Sequence, residues 1–92
     1  MEGVANGRII HYVLKNGKHR PAIIVQEWDE GGGAIGLINV VVFLDGTNDL
    51  DRTGDVAEFS SAEIERCTAW RTSIHFSATK EPGTWHWPEK SA

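Results

Sequence analysis

The chain has 92 residues and a 40% apolar fraction, enough for one small globular domain near the lower limit of what folds on a single core. Its net charge of −4 argues against a general binder of long nucleic acid, which needs clustered Lys and Arg to neutralise phosphates. One cysteine, Cys67, excludes an intrachain disulfide and a cysteine-rich zinc site, and the longest apolar run, Val40 to Leu44, is far too short to span a bilayer.

The expected organisation is a single small β domain over residues 1–92, with a loose start at 1–6. Arg8 to Leu14 is rich in β-branched and aromatic residues and reads as the first strand. Asn16-Gly17 predicts a two-residue hairpin turn with positive φ at both positions. His19 to Trp28 is the second and clearest strand, with Pro21 near its start or at an edge because it lacks an amide donor. Asp29-Glu30-Gly31-Gly32-Gly33 is a flexible hairpin tip; no Lys-Ser/Thr follows that would make it a phosphate cradle.

Ile35 to Leu44 is the third strand, with Gly36 at a bulge or bend. Its nearly continuous apolar character calls for cover on both faces, which in so short a chain implies a second copy and hence a homo-oligomer. Asp45-Gly46-Thr47-Asn48-Asp49 is turn chemistry, without the ladder of acidic ligands that calcium requires. Residues 50–66 form a surface loop in which Ser60-Ser61-Ala62-Glu63 fits a capping box for one short helical turn. Thr68 to Ser77 is the fourth strand, with Trp70, Thr72, Ile74 and Phe76 on one face and Arg71, Ser73 and His75 on the other. Pro82-Gly83 predicts a type II turn. In the closing strand, Trp85 and Trp87 face one way and His86 the other. The fold class is therefore mainly β: a small SH3-like barrel of about five antiparallel strands with one short helical turn.

No chemistry is written plainly in these residues. The four histidines, His11, His19, His75 and His86, all lie on strands or their ends, but no pair has a recognised ligand spacing, so no metal site and no cofactor are assigned. Cys67 has no flanking nucleophile motif, no G-x-S-x-G exists, and the carboxylates are dispersed, so no enzyme is expected. Four tryptophans in so short a chain allow either core closure or stacking of a nucleotide base. Arg20, Arg71 and the histidines then supply donors to an anionic group.

Four stretches carry a resemblance: Gly7-Arg8-Ile9-Ile10-His11-Tyr12-Val13-Leu14; Gly17 to Val25 with Trp28; Asp45-Gly46-Thr47-Asn48-Asp49; and Gly83-Thr84-Trp85-His86-Trp87-Pro88-Glu89. Together they make the chain similar to a group of small, uncharacterised tailed-phage and prophage proteins, excepting roughly residues 50–66. The resemblance implies a phage origin and brings no activity with it.

By analogy with phage sponges that sequester the signals of CBASS or Thoeris immunity, the expected function is non-enzymatic capture of a cyclic nucleotide or cyclic ADP-ribose type ligand by a homo-oligomer in the host cytoplasm. The expected site has Trp85 or Trp87 on the base; Arg20, Arg71, His19 and His86 on phosphates; and Asn48 or Asp49 on polar base or ribose groups. The alternatives are a virion accessory or host-protein-binding module and, less well supported, a small nuclease or hydrolase using the histidines.

Overall fold

The computed structural model describes residues 3–28, 36–50 and 57–89. Five strands, β1 (Ile9–Val13), β2 (His19–Glu27), β3 (Ile38–Phe43), β4 (Thr68–Ile74) and β5 (Trp85–His86), form one sheet in the order β4-β3-β2-β1-β5 with every neighbour antiparallel. The first four strands run as a meander, and the last returns to the free edge of β1. The segment after β4 comes round to the same place: Phe76 bridges Trp85, and the amide of Trp85 donates to the carbonyl of His75 at 3.0 Å. The fold is thus mainly β, as the alternation and turn chemistry predict.

Alternation along β1 sends Ile10, Tyr12 and Leu14 inward, where they meet Ala22 and Ile24 of β2, Val40 and Val42 of β3, Ala69 of β4 and Trp85. Each large apolar side chain buried this way contributes about 1.5–3 kcal/mol. Trp85 is fully buried, its Nε1–H donating to the Gly36 carbonyl at 2.6 Å, and its ring meets Phe76 and Trp87 edge-to-face. Val4, in the stretch expected to be a loose start, packs on this core as well.

Several local expectations hold. The helix α1 (Ser61–Arg66) begins with the predicted capping box: Ser60 accepts from the Glu63 amide, and the Glu63 carboxylate accepts from the Ser60 amide. The Pro82-Gly83 turn has Gly83 at φ +83° and a Thr84 amide donating to the Glu81 carbonyl, as a type II turn requires. The Asp45 cluster winds into a single 3-10 turn, Gly46–Asp49.

Two expectations need correction. The first hairpin is not a two-residue turn. The Gly17 amide donates to the Leu14 carbonyl and the Leu14 amide to the Lys18 carbonyl, and only Gly17 has positive φ. This is a three-residue loop ending in a glycine bulge, stabilised by the Asn16 side chain accepting from the Lys18 amide at 2.8 Å. The second concerns β4, which does not alternate throughout. Ile38 pairs with Ile74 and Val40 with Arg71, so Asn39 alone faces both Thr72 and Ser73. Ser73 takes φ +55°, and the buried Asn39 side chain accepts from the Ser73 amide and the Thr72 hydroxyl, filling the broken ladder. The bulge leaves Trp70 exposed while Ile74 turns to the core, so these two residues do not share a face. The expected glycine loop at 29–33, the first residue of the expected third strand and most of the loop before α1 lie outside the described residues.

Candidate metal centre

The outer side of the sheet around β1 gathers three imidazoles and a carboxylate. The register dictates this. His11 of β1 lies opposite His86 of β5, and His19 of β2 lies opposite Val13, two residues along β1 from His11. Residues directly or diagonally opposite on one face are neighbours, so all three rings project on the face away from the core. The ring centroids of His11, His19 and His86 are 4.6–6.2 Å apart. β5 ends at His86, Pro88 follows outside the strand, and Glu89, three residues beyond His86, folds its carboxylate between the rings.

Glu89 accepts from His11 Nδ1 at 2.7 Å through one oxygen and from His19 Nδ1 at 2.7 Å through the other. Lys80 Nζ stands 3.3 Å from that second oxygen, which also abuts His86 Nε2. Burial alone would raise the Glu89 pKa, but hydrogen bonds from its own backbone, His11 and Lys80 hold it well below the usual carboxylate range. An ionised carboxylate only accepts, so the facing nitrogens of His11 and His19 carry the protons.

His86 is different from its two partners. Its side chain is 4% exposed, and neither ring nitrogen makes a hydrogen bond of ordinary geometry. A buried polar group without a well-formed partner costs about 1–3 kcal/mol and needs a reason. Burial pushes its pKa down, against the pull of Glu89, which favours the neutral ring.

The ligand atoms of His11, His19, His86 and Glu89 all lie within 4.8 Å of one another. A tetrahedral ion with bonds of about 2.0–2.2 Å needs ligands roughly 3.3–3.6 Å apart, so the 2.7 Å contacts of Glu89 with His11 and His19 open while the wider pairs, all within 4.8 Å, close. Three imidazoles and one carboxylate suit zinc and its first-row neighbours; calcium and magnesium favour oxygen ligands.

The residues expected to bind a nucleotide divide sharply. His19 and His86 meet in this cluster. Arg20 instead forms a two-pronged pair with Asp49, at 2.8 and 2.7 Å, and Asp49, its side chain fully buried, also accepts from the Asp45 amide at 2.6 Å. Burial acts to raise the Asp49 pKa, but the Arg20 pair prevails and lowers it. Asn48 donates to Asp45 at 2.9 Å. Arg71 lies over the Phe59 ring and holds Glu63 at 2.8 Å and the Glu58 carbonyl at 2.9 Å; its hydrogen bond depresses Glu63 to about 2. Trp85 is core and presents no face to a base, and Trp87, half-buried, is covered by the Arg8 guanidinium 5.1 Å from its ring centre. The expected set is therefore not one site: its arginines hold carboxylates, and its buried tryptophan holds the core.

His11 and Glu89 are the members that sequence reasoning missed. Alternation against the apolar Ile10 and Tyr12, and against Trp85 and Trp87, already turns His11 and His86 outward. No short-range signal says that β1 pairs with β5. No family model matches this chain, and neither a curated protein nor a solved structure matches it significantly.

Proposed function

We propose that this protein is a non-enzymatic binding protein whose ligand site is a transition-metal centre of His11, His19, His86 and Glu89. One observation carries the proposal: four ligand atoms within 4.8 Å of one another, arranged around a buried histidine whose nitrogens lack well-formed hydrogen bonds. All four residues fall in stretches that carry the resemblance to small phage proteins, so the proposed phage origin and host-cytoplasmic location concern the same residues as the metal. No helix among the described residues is long and apolar enough to cross a membrane.

The test is calorimetric titration of zinc and cobalt(II) into chelator-treated protein. One ion per chain with at least micromolar affinity is expected, with loss of binding in His11→Ala, His86→Ala and Glu89→Ala. His75 is exposed and outside the cluster, so His75→Ala retains binding. Equal binding by the wild type and all the variants would refute the site.

A second reading, self-association, is favoured by a separate observation. Ile9, Ile23, Val41 and Trp70 pair in register across four strands as one apolar row on the outer face, with Ile9 56% and Trp70 54% exposed. A second copy is the proposed cover, in keeping with so short a chain. Light scattering after size exclusion should give a multiple of the chain mass for wild type and a smaller one for Trp70→Ser; a wild-type monomer at high concentration would end this reading.

A further inference from the structure

We infer that the centre also takes an exogenous oxyanion, a phosphate or the phosphate group of a nucleotide, held between the metal ion and Lys80. The inference rests on the metal reading and specifies what the ion is for.

The cluster is one-sided. His86 forms its floor at 4% exposure, while His11, His19 and Glu89 form a rim at 26%, 31% and 35%. An ion seated there meets solvent on the open side, where an exogenous oxygen either expands the four-ligand shell to five or takes the place of the rim carboxylate of Glu89. The charges then do not balance. A divalent ion, three neutral imidazoles, one carboxylate and the Lys80 ammonium leave two net positive charges at the surface. The ion's own charge governs what the centre attracts, and an anion is the complement.

Lys80 is the second observation. It holds φ +61°, a left-handed conformation that side chains other than glycine's rarely adopt, in the turn where its amide donates to the Ser77 carbonyl. The side chain from this turn sets its ammonium 3.3 Å from Glu89 Oε1, at the rim of the cluster. In the ion-free cluster the ammonium pairs with Glu89; once an ion takes that carboxylate, the ammonium is left beside a cation with its charge unanswered. A ligand with several oxygens answers it: one oxygen on the ion and another on the ammonium, which is a compact donor suited to phosphate. Phosphate carries up to two negative charges near neutral pH and matches the charge of the loaded site; acetate or chloride matches only half of it.

This route to an anionic ligand uses His19 and His86 but not the arginines, which are occupied by Asp49 and Glu63.

The experiment uses cobalt(II)-loaded full-length protein, whose visible spectrum reports ligands added to the ion. Inorganic phosphate, adenosine monophosphate, acetate and chloride are titrated separately at constant ionic strength. A saturable spectral change with phosphate and not with acetate or chloride is expected. Lys80→Gln should raise the half-saturating phosphate concentration about tenfold, the loss of one charged hydrogen bond at an exposed site. The same variant should bind cobalt(II) as tightly as wild type or more so, because a neighbouring positive charge has gone. A matching response to adenosine monophosphate assigns recognition to a phosphate group carried by a nucleotide; a response to inorganic phosphate alone assigns it to the free ion. A loaded protein that ignores both phosphates, responds equally to acetate, or responds unchanged in Lys80→Gln overturns the inference. A protein that never acquires the cobalt(II) band fails one step earlier, at the metal reading itself.

Discussion

Zinc should stabilise the fold by joining distant parts of the chain. The perturbation is addition of zinc to chelator-treated protein, compared with His11→Ala under the same conditions. The ion would tie β1 to β5, closing a loop of about 75 residues between His11 and His86. A cross-link over a loop of that length restricts the unfolded chain by about 4.5 kcal/mol on the loop-entropy scale, which bounds the entropic part of the effect. Mass action sets the observed size: free zinc at roughly one hundred times Kd gives about 2.7 kcal/mol. For a domain of this length each kcal/mol moves Tm by about 4–8 °C, so the rise should be on the order of 10–20 °C. Differential scanning calorimetry with chelator or zinc measures it. His11→Ala should lose most of the rise, and His75→Ala, altered outside the cluster, should keep it. A zinc-independent Tm in the wild type, or a rise of equal size in His11→Ala, would refute the reasoning, because the effect would then not come from these ligands.

Other outcomes follow from the same geometry. Trp85→Ala should cost about 3–5 kcal/mol in urea unfolding, since it empties the centre of the core and strands the Gly36 carbonyl. Trp85→Phe should cost about 1–2 kcal/mol, mainly the lost hydrogen bond. Asp49→Ala should destabilise by about 3 kcal/mol, because it leaves the Arg20 guanidinium and the Asp45 amide without their acceptor. Stability should fall in acid in a fixed order. His86 has a folded pKa below its unfolded value, so its neutral, buried form is favourable above about pH 6.5 and stability declines as pH drops below that. Glu89 and Glu63 are also depressed, Glu63 to about 2; their contributions are complete above about pH 4.5 and are lost as pH falls toward the folded values. A chemical-denaturation series from pH 7 to pH 3 checks this, and a flat profile in ion-free protein between pH 7 and pH 5 would count against a buried neutral His86. Zinc affinity should weaken as pH falls, since protons compete with the ion for its imidazole and carboxylate ligands.

Local sequence was enough for the run of strands, the Pro82-Gly83 turn and the helix cap, but not for the length of the first hairpin loop. Those signals are local: alternation along Ile9 to Leu14 and around His86, positive φ at Gly17 and Gly83, and a serine three residues before Glu63. It also turned His11 and His86 away from the core, because their sequence neighbours are large and apolar. The bulge opposite Asn39 lay beyond local patterning, since it depends on which residue of β3 meets β4 and on a buried side chain that completes the ladder. The arginines show the same division. Arg20 and Arg71 read as free donors along the chain, and only the fold brings each against its carboxylate, 29 and 8 residues away. The metal centre lies furthest from local sequence. Its histidines come from β1, β2 and β5, and antiparallel pairing of β1 with the last strand is what sets His11 opposite His86, with Glu89 folding back between them. Side-chain direction is fixed over two residues of strand, but proximity across the chain is fixed by register, and register is a property of the whole sheet.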